Sequence, residues 1–400
     1  MTQITLVEKK DSDALMKHIK SIAYNRSTNS TGDIEACLYI EDQLKSAGIK
    51  AEHQYFTFDS PLRILMRITY IIVLANLILY RLLLIVAFYF AVKYLFATTR
   101  NFTLVKKEGS KNLIGTIPPN NKHKKPPVVI ISAHYDSFSA NIPFRLQNIF
   151  FFLFRIIIIP YFIVTVSFAF IILRGPDIYQ TSYSDVDNLV IISSIIEFVV
   201  VLLIFLLIYN TKKSQGAIDN ASGVSILIEL SKIFKKYPLD NYEVIILFSG
   251  AEEWGLLGSK RYCKRNRNIL KEKYDLDRSF NINVDMVGSY IGMIQRRKIF
   301  GKKKQPSALN TAIDEVAKEL DVKVVTHHHF INPKTDHRSF KKLARKTKSN
   351  FKVVCFHSDR DSRYIHSRRD TPDRCSSEVL NNAVNLIYHS LKQVESSTLS

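Results

Sequence analysis

Four hundred residues exceed one ordinary domain, and an apolar content of 46% supplies more side chains than one soluble core needs. The formal charge is +20, yet Lys and Arg are scattered and no nucleic-acid-binding motif accompanies them. That argues against a nucleic-acid partner and for a positive surface facing a lipid bilayer.

Cys37, Cys263, Cys355 and Cys375 have no paired spacing, which indicates neither a disulfide framework nor a thiolate metal site and suits a reducing compartment. The first twenty residues carry Glu8, Asp11 and Asp13 without an apolar core, so they are not read as a signal peptide. Hydrophobic spacing predicts helices over 11–24 and 34–48, the second ended by Gly48, then an alternating strand over 51–58. Residues 62–96 form a nearly continuous apolar block broken by Arg63, Arg67, Arg81 and Lys93. It is too long for an ordinary core helix and reads as a membrane segment, either a hairpin of two short helices turning near Arg81 or a re-entrant or surface-lying segment. Strands follow at 102–107 and 113–117, then a Lys/Pro-rich turn over 120–127 and an apolar strand over 128–132.

Two further apolar runs, 149–173 and 189–209, are each long enough to span a bilayer and are joined by a polar loop, so they predict a transmembrane hairpin. The far loop holds Asp177, Asp185 and Asp187 against Arg174, while the near flanks carry Arg145, Lys212 and Lys213. A chain that leaves after His134 and must return to bring Asp219 beside it crosses an even number of times, two or four with four favoured, and by the positive-inside tendency the soluble part is expected to face the cytoplasm. Beyond residue 217 the chain alternates helices (223–236, 254–264, 308–320, 376–394) with strands (243–249, 280–284, 298–300, 322–326, 351–356). That alternation implies a mixed, mostly parallel sheet covered on both faces. The basic piece 341–348 reads as a solvated helix or loop.

Five stretches carry chemistry. Ala217-Ile218-Asp219-Asn220-Ala221-Ser222-Gly223 opens an amphipathic pattern, which puts Asp219 at a helix N-terminus, where it could simply cap the helix. His134 ends an apolar strand, and Asp136 two residues on can orient its imidazole. Glu252 and Glu253 follow another strand; adjacent carboxylates repel unless something positive sits between them, as when one binds a metal and its neighbour acts as general base. Asp285 closes a third apolar strand, where a buried carboxylate needs compensation, and His366 lies in a later polar loop. Two imidazoles and three carboxylates suit two divalent ions bridged by one carboxylate. The histidines favour zinc; the oxygen donors leave manganese and cobalt open.

These stretches, with SAHYDS (132–137), AIDNASGVS (217–225), SGAEEWGLLGS (249–259), NVDMVGS (283–289), TDHRSF (335–340) and YIHSRRDTPD (364–373), make the chain resemble the di-zinc aminopeptidases. That family also includes glutamate-carboxypeptidase-like and glutaminyl-cyclase-like members. The resemblance covers roughly 11–60 and 100–395. It implies a three-layer α/β/α zinc-peptidase fold, two Zn2+ ions per chain and a peptide substrate with a free N-terminus. Residue by residue, it implies that Asp219 bridges the ions, that His134 and Asp285 complete one site, and that Glu253 and His366 complete the other. Glu252 is then the general base and Asp136 the partner of His134. The peptidase domain is expected over 1–61, 98–146 and 210–400, with membrane insertions over 62–97 and 147–209 that soluble relatives lack. The intact DNASG and GAEEWGLLGS patterns favour peptide hydrolysis over cyclisation, and a full ligand set disfavours a non-catalytic receptor or scaffold. His327, His328 and His329 are assigned structural or rim roles. Trp254 and Phe340 suit either a substrate pocket or the core.

Overall fold

The computed structural model describes residues 11–58, 108–140, 142–173, 213–296, 307–329 and 333–397, with short helical pieces between 188 and 203. The chain packs as two units: Met1–Thr57, Gly109–Ser139 and Thr211–Ser400 make the first, and Phe58–Glu108 with Ala140–Asn210 the second. In chain order the elements are α1 (Asp11–Ile22), α2 (Thr31–Ser46), β1 (Ala51–Phe58), β2 (Glu108–Ile117), β3 (Val128–His134) and α3 (Phe144–Leu173). Then come α4 (Ser222–Lys236), β4 (Glu243–Ser249), α5 (Leu257–Lys273), β5 (Phe280–Val284) and β6 (Ile291–Arg296). The last are α6 (Ala308–Glu319), β7 (Val324–His329), α7 (His337–Thr347), β8 (Lys352–Phe356) and α8 (Ser377–Ser397).

The first unit is built on an eight-stranded sheet in the order β1-β2-β4-β3-β5-β8-β6-β7. β4, β3, β5 and β8 are successive parallel neighbours, and β2 and β6 flank them antiparallel. β3 and β4 are built on the runs Val128–Ile131 and Val244–Phe248, and every residue of both strands is buried, the signature of strands covered on both faces. One face packs Val128, Ile130, Ile245 and Leu247 against Tyr262 and Leu270 of α5 and Phe340 and Leu343 of α7. Against the other lies α4, which packs on α1, α2 and α8, with α6 resting on α8. Register fixes what matters for chemistry: His134 pairs with Ser249, Ser132 with Asn283 and Val284 with Phe356. The parallel strands therefore end together at one carboxyl edge, where open α/β sheets hold their ligands.

The expected α/β architecture is thus present, with differences in detail. α5 starts at Leu257 rather than at 254, because the Glu252-Glu253 turn closes through Leu256 in a left-handed conformation (φ 62°). β6 was not predicted, and its Gly292 and Gln295 explain why: they interrupt the apolar alternation on which strand prediction rests. Asp219 precedes the helix instead of opening it, since residues 217–221 form an irregular turn and α4 begins at Ser222. The basic piece near 341–348 is the end of α7, whose Phe340 and Leu343 are buried, so Phe340 is core and not pocket wall. The predicted strands at 102–107 and 298–300 lie outside the described residues.

In the second unit α3 runs 30 residues with Pro160 inside it. It buries Phe154, Ile158 and Tyr161 and exposes Ile149, Phe152, Ile156, Ile159 and Ile163 at alternating spacings of three and four. Among the described residues no helix is long and apolar enough to cross a membrane. The expected multi-pass topology is therefore not seen there; the block 62–97 and the loop 174–187 lie outside the described residues.

Phe340 is wholly buried between α5, α7 and the sheet, its ring tilted against Tyr262 at 6.2 Å. Phe340→Ala should lower stability by about 3–5 kcal/mol in urea unfolding, because the surrounding helices cannot collapse onto the lost ring.

Candidate metal centre

The carboxyl edge of the sheet gathers the five motifs in one place. His134 ends β3, Asp285 follows β5, Glu252 and Glu253 follow β4, and His366 comes from the loop after β8. The turn carrying Asp219 is held over them from both sides. On one side, Asn220 donates from its amide to the Val284 carbonyl (2.9 Å) and accepts from the backbone N–H of Gly223 (3.0 Å) and Met286 (3.2 Å). Ser222 adds a bond from Val287 N–H (3.1 Å). On the other, the Asp370 carboxylate accepts from Ile218 N–H (2.6 Å) and Asp219 N–H (3.4 Å). A Cβ on Gly223 would lie 2.5 Å from Asn220 Oδ1 and 2.7 Å from the Val284 carbonyl, so only glycine allows this close approach.

Asp219 turns one oxygen to each of two groups. Its Oδ1 is 3.0 Å from His134 Nε2, and Asp285 Oδ1 is 3.7 Å from the same nitrogen. Its Oδ2 is 3.3 Å from His366 Nε2, which also meets Glu253 Oε1 at 3.0 Å. In each trio, His134–Asp219–Asp285 and Asp219–Glu253–His366, one donor atom per residue lies within 4.8 Å of the others. His134 Nδ1 donates to the backbone carbonyl of Asp136 (3.1 Å), which fixes the tautomer that leaves the Nε2 lone pair facing the carboxylates.

The electrostatics tell the same story. Burial opposes charge on both imidazoles, yet Asp136, Asp219 and Asp285 raise His134 well above its usual value, and Glu253 and Asp219 bring His366 up to about 10. Asp219 is held far below the usual carboxylate range: burial pushes it up, and the two histidines more than reverse that. Burial leads in pushing Glu252 well above its usual value. The carboxylates thus draw positive charge to the place where the two imidazoles meet Asp219. A donor set of two imidazoles and three carboxylates, nearly closed to solvent, fits a pair of divalent cations.

Sequence reading assigned Asp136 to the His134 ring. Its carboxylate does lie 3.6 Å from Nδ1, but its hydrogen bonds run to the backbone N–H groups of Glu252 (2.9 Å) and Glu253 (3.2 Å). It thus fixes the turn that presents the glutamate pair. Four supporting residues had been given no role. Asn220, Asp336 and Asp370 lie inside the motif stretches; Asp336 accepts from the hydroxyls of Ser249 and Ser259 and ties the end of β4 to α5 and α7. Arg26 lies in no pattern at all. It is wholly buried and donates to the carbonyls of Tyr135 (2.7 Å), Gln215 (3.0 Å), Gly216 (2.8 Å) and Ile22, while its N–H bonds Ser137 Oγ (2.9 Å). One guanidinium so joins the His134 loop to the Asp219 loop. The histidine trio lies on β7, where His327 meets the Tyr290 hydroxyl at 2.8 Å, and Trp254 is half-buried.

Arg26→Gln would strip the Tyr135, Gln215 and Gly216 carbonyls of a donor that water cannot replace. It should cost about 3 kcal/mol or more in chemical unfolding, and Arg26→Lys should recover only part of the loss because one ammonium cannot span three carbonyls.

Residues 200–391 match the family described as Peptidase family M28. A stretch of 77 residues is 46% identical to Aminopeptidase YwaD of Bacillus subtilis (strain 168), but it spans only 19% of this chain and 16% of that protein. The fold is similar to an aminopeptidase from Aneurinibacillus sp. strain AM-1, with TM-score 0.57, 17% identity and coverage of 96% of this chain and 94% of that one. It is equally similar to a glutaminyl cyclase from an Acidobacteriales bacterium, with TM-score 0.57, 14% identity and coverage of 99% and 98%. The matched stretch, residues 200–391, carries Asp219, the glutamate pair, Asp285 and His366.

Proposed function

We propose that this chain is a di-zinc metallopeptidase of the aminopeptidase type, with its peptidase domain formed by residues 1–61, 98–146 and 210–400. The observation that carries the reading is the split of Asp219, one oxygen to the His134–Asp285 pair and the other to the His366–Glu253 pair. His134, Asp219 and Asp285 would hold one ion, and Asp219, Glu253 and His366 would hold the other. Zinc in such a pair supplies Lewis acidity, polarising a carbonyl and acidifying water.

The remaining steps belong to the protein. Glu252 accepts a proton from the attacking water at its carboxylate and returns it to the leaving amine. Asp136 keeps that carboxylate in position by holding the backbone N–H groups of Glu252 and Glu253. The buried acids surrounding the site favour a substrate that brings a positive charge, namely a peptide with a free N-terminal amine. We assign the exposed apolar stripe of α3 and the inserted segments 62–97 and 147–209 to attachment at a lipid bilayer, with the catalytic unit on the cytoplasmic side.

The paired glutamates give the sharpest test. Glu252→Gln should lower turnover about 10²-fold or more while two metals stay bound; Glu253→Gln should also weaken one metal site, read by metal analysis and titration. Equal metal loss in both variants would reverse the assignment.

Fold similarity to glutaminyl cyclases keeps a second chemistry in view. Free peptides should be trimmed from the N-terminus and N-acetylated ones left intact in a mass-spectrometric assay. Ammonia release from an N-terminal glutamine without chain cleavage would favour the cyclase reading, and carboxyl-terminal trimming a carboxypeptidase.

A further inference from the structure

More than half of the chain's formal +20 sits on two helices. Residues 257–273 and 337–348 contain thirteen Lys and Arg and a single acid, Glu272. α5 and α7, which make up nearly all of these stretches, pack side by side on the first unit's sheet and turn Tyr262, Leu270, Phe340 and Leu343 inward. Lys264, Arg265 and Arg267 of α5 and Lys342, Arg345 and Lys346 of α7 are exposed.

The charges of the two helices act as one field: burial, then the cations Lys342 and Arg338 across the helix pair, push the Lys260 ammonium below its usual value. Several like charges also stand one turn apart, Arg261 with Arg265 and Lys342 with Lys346, a spacing that opposes helix formation. Among these cations Ile269 is 56% exposed. A basic helical face with an apolar side chain between the charges is suited to the headgroup region of a bilayer.

We propose that α5 and α7 form an electrostatic docking face for the anionic lipid headgroups of a bilayer. This deepens the lipid part of the reading above and rests on it; the hydrolase part stands apart. The occupant is chosen by two features. Ile269 stands exposed among the cations of α5, and a basic face that carries an apolar side chain suits the headgroup layer of a bilayer. The six named cations are also Lys and Arg without exposed aromatic rings among them on α5 or α7, so the face offers no platform for stacking bases.

Flotation of the purified full chain with vesicles tests this. Binding to vesicles containing about one-third phosphatidylserine should be about tenfold tighter than to phosphatidylcholine alone, and roughly 0.5 M salt should erase the preference. Replacing all six cations by Gln (K264Q, R265Q, R267Q, K342Q, R345Q and K346Q) should reduce anionic binding to the neutral level while hydrolysis of a soluble peptide stays unchanged. The smaller pair R265Q and K346Q should lose an intermediate share. Equal binding of the native chain to both vesicles, or an undiminished preference in the six-site variant, overturns the docking face and leaves the apolar attachment standing. Binding to neither vesicle overturns both, with peptide hydrolysis reporting separately on the enzyme. Tighter binding to RNA or polyglutamate than to anionic vesicles assigns the face to a different partner and overturns the proposal.

Discussion

The shared carboxylate of Asp219 is the constraint on which the rest depends. A buried carboxylate without compensation is costly, and here two oxygens meet two imidazoles from opposite sides of the site. That demand explains why so much of the first unit is devoted to one turn. Asn220, Ser222 and Asp370 secure its backbone, and Arg26 ties its approach to the loop that follows β3.

The same site concentrates unusual backbone. Ala251 before the glutamate pair, Met286 after Asp285 and His366 itself adopt left-handed conformations, with φ of 53°, 64° and 58°. Non-glycine residues in that region are uncommon, and they persist where surrounding contacts over-determine them. Each turns the chain sharply beside a candidate ligand. A regular helix or strand end could not present acids from β4 and β5 and a histidine beyond β8 to a common centre.

The two units differ in what they expose. In the first, strands apolar on both faces make a rigid edge, which is what a cation pair with fixed spacing requires. Its outer helices carry charge in place of apolar contact, and α7 manages both, with Phe340 and Leu343 inside and Lys342, Arg345 and Lys346 outside. The second unit reverses that economy through α3, whose exposed stripe is apolar along its length.

Much of this was determined by the sequence itself. Strands 128–132 and 243–249 declare themselves because a strand buried on both faces must be a near-continuous apolar run, 280–284 shows itself by Phe280, Ile282 and Val284 alternating with Asn281 and Asn283, and His134, Glu252, Glu253 and Asp285 stand out as polar residues just past those segments. Local patterns reached their limit where a residue's partner is distant in the chain. Arg26 has no motif because its work is to meet carbonyls more than a hundred residues away, and Asp136, which stays beside the His134 ring, also holds the distant Glu252–Glu253 backbone. Phe340 could line a pocket or a core by composition alone; packing against Tyr262 decided it. β6 escaped because Gly292 and Gln295 are stabilised by neighbouring strands and not by their own propensity. Which oxygen of Asp219 faces which histidine belongs wholly to the tertiary structure, since it follows from strand register and from the turn that Asn220 and Asp370 hold in place.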